Sequence, residues 1–170
     1  MIYSLIRIAS RRIGNSIHFS LPKGYNGIYI GIPGKQADQD PRLAAIAEIF
    51  AGTPVTLHLS DDILLDIWDK FGLNVSRNLP QAILGVGIGA YDDSTYVDAI
   101  MRQMRHEVVL VANAKGIPLK EEFQAGKWLP TQRYSTLQDL DAHRHTEIDM
   151  FSGALVRMGK ELGIACPYNE

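Results

Sequence analysis

Lys70, Asn74 and Asn78 stand at i, i+4 and i+8 in a stretch, Asp61 to Leu79, that reads as a helix. At about 100° per residue, the two amides fall among Ile63, Ile67 and Phe71. Leu64, Trp68, Val75 and Leu79 complete that apolar arc, and Lys70 sits at its edge. An ammonium can donate a proton to a developing alkoxide, or hold a carboxylate as a point charge. Amides can orient an oxo acid by hydrogen bonds. A buried amide without partners costs roughly 1–3 kcal/mol, so two in one arc need an explanation. Either they cap neighbouring helices or meet buried water, or the stripe faces a cleft that holds a polar ligand. Ser135 and Glu147 complete the candidate set: a hydroxyl that can bind an oxo acid, and a carboxylate that can accept from a hydroxyl or amide. Taken singly, each has a plain alternative: a solvated Lys70, an N-cap Ser135, a helix-surface Glu147.

Other chemistries lack their residue patterns. Of His18, His58, His106, His143 and His145, only the last two are close, and at i, i+2 they point to different sides of a helix. Asp139 and His143 share a face, but one such pair is commonplace, so no metal site is expected. Cys166 is the only cysteine, which rules out an intrachain disulfide and fits a reducing cytosol. It has no His/Asn partner logic for a nucleophile, and no G-x-S-x-G elbow is present. Gly85-Val86-Gly87-Ile88-Gly89 invites a phosphate-loop reading, but it follows a helix, and the dinucleotide fingerprint needs strand–turn–helix. It reads as a flexible or closely packed bend.

The elements that must position these residues form one domain or slightly more. The 170 residues are 46% hydrophobic, enough for a core. Seventeen Lys+Arg against nineteen Asp+Glu give a net charge of −2 with no basic tract, so neither nucleic acid nor a membrane surface is an expected partner. Arg7, Arg11 and Arg12 come too early for a signal peptide, no apolar run reaches transmembrane length, and a cytoplasmic location is expected. Ile2–Ala9 and Ser16–Leu21 read as strands joined at Gly14-Asn15. Ile28–Ile32 reads as a third, pairing with the second across Pro22–Gly27. Asp40-Pro41 starts a helix that Gly52 ends, and Val55–Leu59 is a short strand. Ser60 caps the central helix, which Pro80 bends or ends. Asp92-Asp93-Ser94 opens a helix from about Thr95 to Lys115. Trp128 anchors a loop. Ser135 with Gln138 forms a capping box opening one long helix to Leu162, with Glu147 beside its apolar face. The class is therefore α+β: short antiparallel or mixed strands with one helix over 1–60, then an all-helical domain over 61–170.

The run I-W-D-K-F-G-L-N-V-S-R-N, Ile67 to Asn78, resembles the I-W-x-K-x-x-x-N-x-x-x-N signature of ketopantoate reductases. R-H-T-E-I-D, Arg144 to Asp149, resembles their second block, and Ser135 lies twelve residues before Glu147, as in that family. The tail G-I-A-C-P-Y-N, Gly163 to Asn169, and Glu107 in H-E-V agree as well. The resemblance implies reduction of 2-dehydropantoate, or a similar 2-oxo acid, with NADPH. It makes Lys70 the general acid, Asn74, Asn78 and Ser135 substrate ligands, and Glu147 a contact to the nicotinamide end or the substrate hydroxyl. It also implies a helical part like the C-terminal fold of 6-phosphogluconate dehydrogenase. Residues 1–60 would be the last strands and helix of a nucleotide-binding domain whose G-x-G-x-x-G this sequence lacks. Three positions depart from the family: Asn78-Leu79-Pro80 replaces Asn-Pro, Tyr134-Ser135-Thr136 replaces Pro-Ser-Met, and a further substrate asparagine of the family falls near Ile88, so that contact is absent or shifted. The other reading is a non-catalytic helical dimerisation or binding module. Without the nucleotide domain the chain alone is expected to be inactive, and unpaired strand edges invite a homodimer.

Overall fold

The structure, a computed structural model, describes residues 1–8, 10–19, 24, 26–123 and 129–170. The chain divides into two compact units, Met1–Ile67 and Trp68–Glu170.

In the first unit, β4 (Gly27–Gly31) is the middle strand. It pairs antiparallel with β1 (Tyr3–Arg7) and parallel with β5 (Leu57–Leu59). α1 (Pro41–Phe50) makes the crossover that a parallel pair requires. The Asp40 carboxylate accepts from the Arg42 amide, and Pro41, with no N–H to satisfy, takes the first helical position. The Arg42 guanidinium also grips Asp40 at 2.8 Å and holds its carboxyl well below the usual carboxylate range. Leu43 of α1 is fully buried against Ile30 and Ile32. Gly31 has no room for a side chain: a Cβ there would lie 2.8 Å from Ile63 Cβ and 2.9 Å from the Ser60 carbonyl.

Two expectations for this unit fail. A fourth strand, β2 (Ser10–Ile13), pairs with β3 (Ser16–Phe19) across Gly14-Asn15, so β3 is not the hairpin partner of β4. The two-residue turn satisfies β3 locally, and β4 takes β1 instead. Ser60 is not the helix cap either. Asp62 accepts from the Leu65 amide, while Ser60 donates its hydroxyl to Asp66. Ala9, Leu21 and Trp128 lie outside the described residues.

The second unit is helical and begins within α2 (Ile63–Leu73). That helix runs into a π-helical turn (Asn74–Asn78) and then α3 (Leu79–Leu84) without leaving helical backbone. Pro80 therefore does not end the helix, which stops at left-handed Gly85. α4 (Ala90–Asp93) leads to α5 (Thr95–Ala114), capped by Ser94. α5 packs against the π turn, α4 and α7 through Met101, Met104, Val108 and Val111. The expected long C-terminal helix is two: α6 (Ser135–Asp141) and α7 (Ser152–Leu162). His143 takes a left-handed φ of 52° and breaks the run. The capping box is absent too, since Gln138 Nε2 donates to the Arg133 carbonyl. The tail folds back on α5: Glu107, 4% exposed, accepts from the Tyr168 amide and from Asn169 Nδ2, while Ser152 donates to Asn169 Oδ1.

Candidate functional site

The helical run 63–84 carries three of the five candidates. In a plain α-helix, residues four apart drift round the axis by about 40° per step. A π turn takes more residues per revolution, and its bonds reach i+5. Placed at Asn74–Asn78, it offsets the drift between those two amides and keeps them on one side. Fully buried Ser76 donates its hydroxyl to the Gly72 carbonyl at 2.6 Å, giving that carbonyl a partner where the bonding pattern changes.

The turn before it is held by a buried cation. Arg105 of α5 is 1% exposed. Its Nη2 donates to Asp69 Oδ1 at 3.1 Å and to the Lys120 carbonyl at 2.8 Å. Gly72 is where the guanidinium fits, since a Cβ there would collide with Arg105 Nη1. Phe123 receives two cations on its ring, Arg77 at 4.5 Å and Arg105 at 4.8 Å. Burial lowers the pKa of the Arg105 guanidinium, and the Asp69 carboxylate opposes that shift. Asp69 precedes Lys70, so this ion pair fixes the turn from which the half-buried Lys70 projects.

Asn78 is the centre of the polar cluster. It is 3% exposed. Its Nδ2 lies 3.4 Å from Asn74 Oδ1 and 3.5 Å from Ser135 Oγ, both at the long end of hydrogen-bond range. Its Oδ1 is buried and meets no partner among the described residues. Ser135 is exposed at the first position of α6, so its hydroxyl sits at the rim above a buried amide.

Segment 129–134 delivers Ser135 to that place. Gly89 N donates to the Pro130 carbonyl at 2.8 Å, and Ile88 N to the Gln132 carbonyl at 3.0 Å. Side chains at Gly87 or Gly89 would strike Pro130. The glycine string is thus a closely packed bend, with its open faces already filled. Gln81 is fully buried and also bonds this segment. The Tyr91 hydroxyl donates to the Arg77 carbonyl, and burial, helped by Tyr134, pushes the Tyr91 phenol up.

The structure thus brings Asn74, Asn78 and Ser135 together, with Lys70 one turn earlier on the same run. It does not bring in Glu147. That residue is exposed just before a short turn, Ile148–Met150, and not on a continuous helix. It stands outside the contacts that join Asn74, Asn78 and Ser135. Sequence reasoning missed Ser76, Gln81 and Arg105. Gln81 extends the polar series 70, 74, 78 by one further step on the same side, which is the one signal that points to it. Among the described residues, no group of three or more His, Cys, Asp or Glu could hold a metal ion, and no helix is long and apolar enough to cross a membrane.

The model of the family "Ketopantoate reductase PanE/ApbA C terminal" matches residues 62–170. A 2-dehydropantoate 2-reductase of Pyrobaculum aerophilum is 29% identical over 133 residues, which are 75% of this chain and 48% of that protein. The crystal structure of a PanE/ApbA family ketopantoate reductase from Ralstonia eutropha JMP134 superposes with a TM-score of 0.82 at 29% identity, over 99% of this chain and 55% of the other. A D-mandelate dehydrogenase, solved with NADH and anilino(oxo)acetate, gives a TM-score of 0.72 at 25% identity over 86% of this chain and 63% of its own. The chain therefore spans about half the length of the curated relatives it matches.

Proposed function

Because the chain belongs to the ketopantoate reductase PanE/ApbA C-terminal family, we propose that it carries the substrate-binding and proton-donating part of an oxidoreductase. The reaction would reduce 2-dehydropantoate, or a similar 2-oxo acid, to the 2-hydroxy acid with NADPH. Residues 1–60 are, in this reading, the closing strands and helix of a nucleotide-binding domain. The helical part is of the 6-phosphogluconate dehydrogenase C-terminal type.

The observation that carries the reading is the cluster around Asn78. A buried amide with long contacts on one end and an unpartnered oxygen on the other is costly by itself. An oxo acid would shorten the donor contacts at Asn78 and Ser135, and a substrate hydroxyl would suit Asn78 Oδ1. Asn74 supports Asn78 from the preceding turn.

When bound, NADPH supplies the hydride. The developing alkoxide would take its proton from the Lys70 ammonium, whose charge also stabilises it before transfer. Gly87 and Gly89 offer no cradle for a pyrophosphate, because Pro130 fills the space. Glu147, which stands outside the Asn78 cluster, would contact the nicotinamide end of NADPH or the substrate hydroxyl from the turn before Ile148. The mandelate dehydrogenase relative extends the candidates to other 2-oxo acids and to NADH. A homodimer is the proposed assembly, to be checked by size exclusion with light scattering.

The test is Lys70→Ala in an enzyme joining this chain to its nucleotide-binding half. The expected result is a kcat reduced by about 10²–10⁴-fold. An unchanged kcat overturns the role of Lys70, whereas no turnover in the joined enzyme before the substitution favours the non-catalytic binding module.

A further inference from the structure

We propose that Gln81 is the positioning residue for Ser135, gripping the backbone of segment 130–134 so that the Ser135 hydroxyl is held over Asn78. The inference uses the reductase reading only to name the ligand, a 2-oxo acid.

Gln81 is fully buried, and both ends of its amide are engaged. Its Oε1 accepts from the Tyr134 amide at 2.6 Å, and its Nε2 donates to the Gln132 carbonyl at 3.1 Å. One side chain thus satisfies a donor and an acceptor two residues apart, as a neighbouring strand would. The gripped donor belongs to the residue immediately before Ser135. The far end of the segment is held separately by the Gly89–Pro130 bond.

Gln81 lies three positions after Asn78 on the same helical run, and residues three apart share a helix face. One surface therefore does two things: Gln81 holds the segment, and Asn78 meets the hydroxyl at its end. α6 itself is seven residues long. Ser135 is its first residue, so its placement follows the segment that enters the helix.

The chain itself serves for the test, with the Asn78 side-chain amide followed by NMR, a readout that needs no ligand. Ser135→Ala moves that resonance. Gln81→Leu is expected to move it likewise, and the double variant no further than Ser135→Ala alone. Gln81→Glu keeps the shape and guards against misfolding. Ionised, it cannot donate to the Gln132 carbonyl; protonated, it can. The Asn78 resonance of this variant is expected to return toward the wild-type position as pH falls. Titration with 2-dehydropantoate adds the second arm. Binding should weaken about tenfold in Gln81→Leu and in Ser135→Ala, without multiplying in the double variant. An Asn78 resonance unmoved in both Gln81 variants, or losses that multiply, overturns the positioning role. A wild-type chain that binds no oxo acid, while Gln81→Leu still moves Asn78, overturns the ligand and leaves the positioning role standing.

Discussion

Glu107 Oε2 accepts from Asn169 Nδ2 at 2.6 Å, joining the middle of α5 to a residue 62 positions later. The other carboxylate oxygen takes the Tyr168 amide at 2.8 Å. Removing the carboxylate leaves the buried Asn169 amide and the part-buried Tyr168 N–H without their acceptor. Glu107→Ala is expected to destabilise the helical unit by about 3 kcal/mol, read from urea denaturation at unchanged m-value.

Gly72→Ala tests the seat of Arg105. The new methyl meets Nη1 of a guanidinium already fixed by Asp69 and the Lys120 carbonyl. Overpacking of this kind costs roughly 1–3 kcal/mol, so thermal unfolding should begin several degrees lower. The exposed change Asp92→Asn, in α4, should leave it unmoved.

Gly87→Ala tests the packed bend. Its Cβ would press on the Pro130 carbonyl, and backbone cannot swing aside as a side chain can. Faster amide exchange is expected at Ile88 and Gly89, whose N–H groups bond this segment.

Burial, aided by the nearby charges of Glu107 and Glu170, pushes the Cys166 thiol up. A group whose folded pKa is raised contributes stability below its unfolded value, about 8.5 for a thiol. That contribution is lost as pH rises through the folded value. Native protein at pH 8.5 should therefore resist iodoacetamide, while urea-unfolded protein reacts readily. Equal alkylation rates in the two states would contradict the burial of this tail.

Sequence reading succeeded where the signal is local. Asp40-Pro41 and Ser94 mark helix starts by side-chain caps, and both caps form. It failed where the decision is made by distant partners. β2 carries Arg11 and Arg12 and no alternation, so nothing in Ser10–Ile13 marks it as a strand until it pairs. The apolar spacing from Leu137 to Leu162 persists across a break that neither Gly nor Pro announces. His143 turns left-handed there, and the periodicity is carried by two separate helices.

The candidate site was half legible. Lys70, Asn74 and Asn78 stood out because polar residues interrupt an apolar arc. Ser135 and Glu147 were candidates by residue type alone, each with a plain alternative, until the family resemblance gave them roles, and of these two only Ser135 joins the amides. Gln81 was hidden because a glutamine after a proline resembles surface, whereas folding buries it fully. The π turn cannot be seen by counting at 100° per residue, since that count assumes its absence.

That wider turn has an evolutionary corollary. It holds one residue more than an α-helical revolution, so losing a single codon between Asn74 and Asn78 would heal the coil into ordinary geometry. The wide turn spreads its extra residue over nearly the same rotation as a shorter α-helical stretch, so the flanking helices would keep their phase and their packing. Asn74 and Asn78 alone would change their spacing, from four residues to three. A one-residue deletion here is thus the length change that the run should tolerate with least repacking.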